Sequence, residues 1–296
     1  MGISQMGRTP EAWRRDHAGP VHHSWAGWRE ISNGHNSATS RSPLSVKRKK
    51  NYPLPSGEVP MAAPPSSGDR WPPLESIPDV FNQFMWSLGV PQGEAEFHDV
   101  YGIDADALAI VPQPVLAVVF CFPDPPENPT NPPEEVLATA TENKETSDDV
   151  YFIKQIESLG NACGTIALLH AVGNAYSESL LKNSCLDLFF KSTASMDPYE
   201  RARVLEKDDD IARAHSLAAS AGDTELPDDV EEHYICFMAL NGTLYELDGM
   251  KGAPIMHGST SPESLLQDAV DIIKAIMHKI PNSVNFNIMV LSKKSK

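Results

Sequence analysis

A domain that mixes α-helix with β-sheet is predicted by three observations. Residues 115–122 form a continuous apolar run rich in β-branched and aromatic side chains, as a strand buried on both faces does. Residues 165–172 are apolar nearly all round, which marks a helix in the middle of a domain. Asn241-Gly242 separates two strand-like runs, and this dipeptide is the strongest short hairpin signal because both loop positions need φ > 0.

The remaining elements follow in chain order. The first 60 residues show neither helical nor strand period and hold little aliphatic content, so disorder is expected there. Residues 1–69 are read as a basic N-terminal extension and 70–296 as the globular domain. Residues 77–88 have helical spacing that ends at Gly89-Val90-Pro91, and 96–101 alternate as a short strand does. Six prolines in 123–133 mark a loop. Helical pieces are expected over 179–190 and 198–207. Residues 208–232 are acidic and rich in small side chains, and are read as a long mobile loop, a kind of segment that is usually functional. Over 208–213 the acidic face of a frayed helix is the plain alternative.

Charge divides the 296-residue chain at the same place. Residues 1–60 carry nine Lys/Arg against four Asp/Glu, while the rest carries 15 against 36, a net −21. So acidic a domain excludes nucleic acid as the expected partner and suits a basic protein surface. No apolar run approaches the roughly 18 residues of a membrane span, and no signal-peptide core follows Met1, so a soluble, cytoplasmic monomer is expected. Val46-Lys47-Arg48-Lys49-Lys50 is a candidate nuclear-localisation or polyanion patch. Met61 reads as a second start site.

The four cysteines, at 121, 163, 185 and 236, show no Cys-x-x-Cys spacing, so neither a metal cage nor a disulfide framework is expected. No cofactor motif is present. Cys121, Cys185 and Cys236 read as packing residues. Cys163 differs, because it opens the apolar helix, and the partial positive charge at a helix N-terminus favours the thiolate over the thiol. Its small neighbours Gly164 and Thr165 are expected to let a carbonyl approach. His170 lies two turns further on and reads as a satisfied helix residue rather than a base.

The hairpin supplies a base. If Asn241-Gly242 is a two-residue loop, Leu240 pairs with Thr243 and Asp248 falls opposite Ile235. His233 shares a face with Ile235, so His233 and Asp248 are diagonal neighbours about 7–8 Å apart at Cα, within reach of a side-chain hydrogen bond. Cys163, His233 and Asp248 then form a nucleophile, base and orienter in the chain order that papain-like enzymes use.

Further residues carry a resemblance. Arg70-Trp71-Pro-Pro-Leu-Glu75, Asp99-Val-Tyr-Gly102, Val150-Tyr-Phe-Ile-Lys-Gln155, Asn161-Ala-Cys-Gly-Thr165, Tyr199-Glu-Arg-Ala-Arg203, Leu244-Tyr-Glu-Leu-Asp-Gly249, Phe286-Asn287 and Leu291-Ser292 occur in this order. Together they resemble the short single-domain members of the ubiquitin C-terminal hydrolases over residues 70–292. The resemblance implies an α/β papain-like cysteine protease fold, with a central antiparallel sheet flanked by helices and a knotted backbone. It implies Cys163 as nucleophile, His233 as general base and acid, Asp248 as its orienter, and Gln155 as an oxyanion donor. It also implies ubiquitin, and ubiquitin-like proteins, as partners, with 208–230 as the crossover loop that restricts the leaving group to small or unstructured adducts.

One departure bears on activity. Gln155 lies eight residues before Cys163, where the family has six, so two residues are inserted within 156–159. The favoured function is a deubiquitinating thiol hydrolase acting through a thioester. The alternative is a ubiquitin-binding protein whose catalysis is impaired by displacement of Gln155. A papain-like hydrolase of an unrelated substrate is a distant third.

Overall fold

The computed structural model describes residues 71–123, 149–175, 181, 184–222, 231–280 and 283–294. The expected N-terminal disorder lies outside the described residues, as does the proline loop apart from Pro123. Six strands form one sheet: β1 (Ala95–Asp99), β2 (Val115–Pro123), β3 (Glu232–Leu240), β4 (Thr243–Leu247), β5 (Ile255–Ser259) and β6 (Asn287–Lys293). Their order is β1-β6-β2-β3-β4-β5, and every neighbouring pair is antiparallel.

The helices are α1 (Pro78–Ser87), α2 (Ala105–Ala109), α3 (Cys163–Ala175), α4 (Cys185–Thr193), α5 (Pro198–Glu206), α6 (Asp209–Ala219) and α7 (Leu265–Lys279). Side chains alternate across the sheet. Val119, Cys121, Tyr234, Cys236 and Met238 join the core cluster that contains α3. Val118, Phe120, Ile235 and Phe237 are equally buried but lie outside that cluster, on the face where α7 packs against β2, β3 and β4. The sheet is therefore central, as expected, with helices on both sides.

The structure corrects one reading. Residues 209–219, expected as part of the 208–230 loop, form helix α6, N-capped by the Asp208 carboxylate on the N–H groups of Asp210 and Ile211. Its buried face is Ile211, Ala212, Ala214, His215 and Ala218. Three of these five side chains are alanines, so the stripe hides in an acidic sequence until its spacing is counted. Residues 223–230, the rest of the expected crossover loop, lie outside the described residues.

A second region is irregular and has no ladder to satisfy its backbone. Residues 151–155 belong to no helix or strand, and side chains from two helices take up polar groups of Tyr151, Phe152 and Ile153. Asn174 accepts from Tyr151 N–H and donates to Tyr151 C=O, both at 2.8 Å. His170 Nε2 accepts from Ile153 N–H at 2.9 Å. The Arg201 guanidinium donates to Phe152 C=O at 3.0 Å, and to Thr193 and Ala194, while lying 4.4 Å from the Tyr151 ring. This gives Arg201, within the Tyr199–Arg203 motif, a physical task.

Candidate active site

The hairpin forms in the expected register, from Leu240↔Thr243 to Cys236↔Leu247. Asn241 (φ 50) and Gly242 (φ 78) supply the positive dihedrals of the two-residue turn. His233, near the start of β3, and Asp248, just past β4, are consequently side by side and both buried. His233 Nε2 donates to Asp248 Oδ1 at 2.8 Å, and the same oxygen accepts Met250 N–H at 2.8 Å.

Cys163, the first residue of α3, acts on the His233 imidazole only as a favourable charge partner. With Nε2 committed to the carboxylate, Nδ1 is the ring nitrogen left to exchange a proton with a thiol. Burial acts to lower the His233 pKa, but the bond to Asp248 and the charge of Cys163 outweigh it and hold the imidazole up at about 10. Asp248 shows the converse. Burial raises its pKa, and the His233 bond carries it below the ordinary carboxylate range.

Cys163 is half-buried at one wall of a cleft of about 280 Å³. Glu75 and Ser76 from the N-terminal strap, Glu232 and Tyr234 from β3, and Phe286 before β6 line the same cleft. A larger cavity of about 510 Å³ lies between α1, β1 and α2, with no cysteine, serine or threonine in its lining. Chemistry, not size, identifies the site. Among the described residues, no group of three or more His, Cys, Asp or Glu is arranged to hold a metal ion, and no helix is long and apolar enough to cross a membrane.

Three expectations near the nucleophile change. Gly164 and Thr165 do not open the way for a carbonyl. A Cβ at Gly164 would stand 3.3 Å from Leu74 and 3.5 Å from the Tyr234 ring, so its smallness serves packing. Thr165 is fully buried and bonds His215 Nδ1 at 2.7 Å. Cys185, expected to pack, is exposed at the start of α4, whereas Cys121 and Cys236 are buried and hold their protons tightly because burial raises both pKa values.

His215 was not foreseen. Its Nε2–H donates to Pro72 C=O at 2.8 Å, leaving Nδ1 to accept from the Thr165 hydroxyl, and Trp71 packs on the ring at 4.8 Å. It ties α6, the strap and the first turn of α3 together. Burial pushes it, and likewise His170, down to about 4, so both are neutral at pH 7. The signal was the i, i+3, i+4, i+7 spacing of Ile211, Ala214, His215 and Ala218.

Gln155 sits beside the triad through its backbone. Its N–H donates to Gly249 C=O at 2.8 Å, one residue past Asp248. A Cβ at Gly249 would meet Gln155 Cβ and Ile166 Cγ2, each at 3.2 Å. Within 156–159, where the two-residue insertion is expected, Glu157–Leu159 form a 3₁₀ turn whose Leu159 is fully buried.

Known proteins of one family match this chain. The family model "Ubiquitin carboxyl-terminal hydrolase, family 1" matches residues 71–278. "Ubiquitin carboxyl-terminal hydrolase 3" of Arabidopsis thaliana is 51% identical over 237 residues, covering 79% of this chain and 99% of its own. A ubiquitin carboxyl-terminal hydrolase of Aplysia californica is 38% identical, covering 73% of this chain and 99% of its own. Among solved structures, the Trichinella spiralis UCH37 catalytic domain bound to ubiquitin vinyl methyl ester superposes with a TM-score of 0.60 at 22% identity, over 77% of this chain and 98% of that one.

Proposed function

The chain belongs to family 1 of the ubiquitin carboxyl-terminal hydrolases, cysteine-type hydrolases of ubiquitin, and on that premise we propose that Cys163, His233 and Asp248 are its catalytic triad. The single observation that supports this reading best is the buried hydrogen bond between His233 and Asp248, with Cys163 opening helix α3 and favouring the charged imidazole.

The proposed substrate is ubiquitin carrying a small or unstructured group on its C-terminal glycine. Cys163, its proton already held on His233 Nδ1, attacks the glycine carbonyl as the thiolate. The oxyanion that develops is met by the Cys163 backbone N–H and the Gln155 side-chain amide, donors already in place before the charge appears. The amine or thiol leaves with the proton from His233, and a water deprotonated by His233 then hydrolyses the thioester. Asp248 keeps the imidazole in the productive tautomer and stabilises its charged form. The acidic domain draws in a basic face of ubiquitin, which affects encounter more than specificity.

The alternative, a ubiquitin-binding protein with impaired catalysis, requires the insertion to displace Gln155. The backbone bond to Gly249 and the compact 3₁₀ turn favour retention instead. Incubation with ubiquitin ending in a thiol-reactive electrophile, alongside a fluorogenic ubiquitin amide, tests both. The expected result is one adduct at Cys163 together with turnover. Adduct without turnover selects the impaired reading, and neither adduct nor binding overturns both. The enzyme is further proposed to act as a cytoplasmic monomer, which size-exclusion chromatography and imaging of a tagged chain check.

A further inference from the structure

The five residues between Gln155 and Asn161 do more than connect them. Gln155 Nε2 donates to Gly160 C=O at 2.9 Å. Gly160 has φ 57 and ψ −125, the first central position of a type II′ turn, which strongly favours glycine. Around it the turn is fixed: Leu159 N–H donates to Ile156 C=O at 3.0 Å and Gly160 N–H to Glu157 C=O at 3.1 Å. Gly160 bridges to Trp71 in parallel, and Asn161 N–H donates to Trp71 C=O at 3.3 Å. The carbonyl that holds Gln155 is thus itself held from the turn and from the N-terminal strap.

A primary amide has two N–H bonds on one nitrogen in a fixed plane. Anchoring one on Gly160 fixes that plane and leaves the other free to donate elsewhere. The Gln155 Oε1 is buried without a hydrogen-bond partner, so the amide makes an incomplete set of contacts to keep this orientation. We propose that Gly160 is a positioning residue for the hydrolysis, whose carbonyl aims the second Gln155 N–H at the developing oxyanion. The inserted residues, by this account, build the anchor and do not disturb the donor. The proposal rests on Gln155 being the oxyanion donor.

A double-mutant cycle separates the two ideas. Gln155→Ala is expected to lower kcat by about 10²–10³. Gly160→Ala is expected to lower kcat by about 10-fold or more through misalignment, with KM for the ubiquitin amide and the rate of Cys163 alkylation by iodoacetamide unchanged. In the Gln155→Ala background, Gly160→Ala should cost nothing further. If Gln155→Ala leaves kcat intact, the donor reading falls. If Gln155→Ala is slow and Gly160→Ala lowers kcat equally in both backgrounds, or in neither, the anchor falls. Should Gly160→Ala not fold, nitrogen-edited NMR of the wild-type enzyme decides. One protected and one exchanging Gln155 Nε2 proton is expected, and two freely exchanging protons overturn the proposal.

Discussion

The His233–Asp248 pair is placed by a hairpin closed over two residues, while Gln155 is placed by contacts from Gly160, Gly249 and the helices behind residues 151–154. In the hairpin, ladder bonds and strand alternation fix the geometry once the turn is chosen. Along residues 151–155, the backbone groups that are bonded find partners far away in the sequence. The first arrangement tolerates change in its surroundings. The second transmits every change to the one side chain that matters.

The largest expected loss comes from breaking the shared centre. Cys163→Ala should lower kcat by at least about 10⁴ while leaving ubiquitin affinity, measured by calorimetry, within a few-fold. Asp248→Asn breaks the hairpin side chemically but not structurally, and kcat should fall by about 10³–10⁴. It should also change stability at alkaline pH. Folded His233 keeps its proton to about pH 10, against an ordinary value of 6.5, so the stability it contributes is complete below 6.5 and is lost as pH rises towards 10. Urea melts from pH 6 to 10 should show that slope in the wild type and a shallower one in Asp248→Asn.

The irregular side is broken from a distance by Trp71→Ala, which removes a buried ring from His215 and loosens the strand bridge to Gly160. A loss of about 3–5 kcal/mol is expected. If the two regions differ as argued, kcat falls while the His233 alkaline slope persists. A smaller effect appears in acid. The unfolded chain protonates His170 and His215 near pH 6.5, whereas the folded protein resists to about 4. Stability should therefore fall with pH between those values, and His215→Asn should remove part of that slope. The smallest effect sharpens the contrast. Gly242→Ala strains the turn by about 1 kcal/mol, yet kcat should be unchanged because the remaining ladder holds the register.

This difference also decides what could be read before folding. Cys163, His233 and Asp248 follow from a helix start and a two-residue turn, both local rules. So does β2, a run of apolar residues. The anchoring of Gln155 could not be read, because nothing in residues 151–160 says that Arg201, His170 and Trp71 will be their partners. Helix α6 was misread because Ala212, Ala214 and Ala218 make a weak apolar stripe among carboxylates. Helix α7 was open to reading, since Leu265, Leu266, Ala269, Val270, Ile273 and Met277 keep helical spacing.

The sheet order has a consequence for how the protein is made. Among the described residues, strand β6 comes last in chain order but lies between β1 and β2, on which the rest of the sheet depends. While the nascent chain emerges from the ribosome, β2 can pair with β3 on one side only, and β1 has no strand beside it. The sheet cannot close until residue 293 is free. Such late, long-range pairing slows folding and leaves an apolar strand edge uncovered, the kind of surface that chaperones shield. Activity should therefore appear only once β6 has emerged and paired, with no competent intermediate before it.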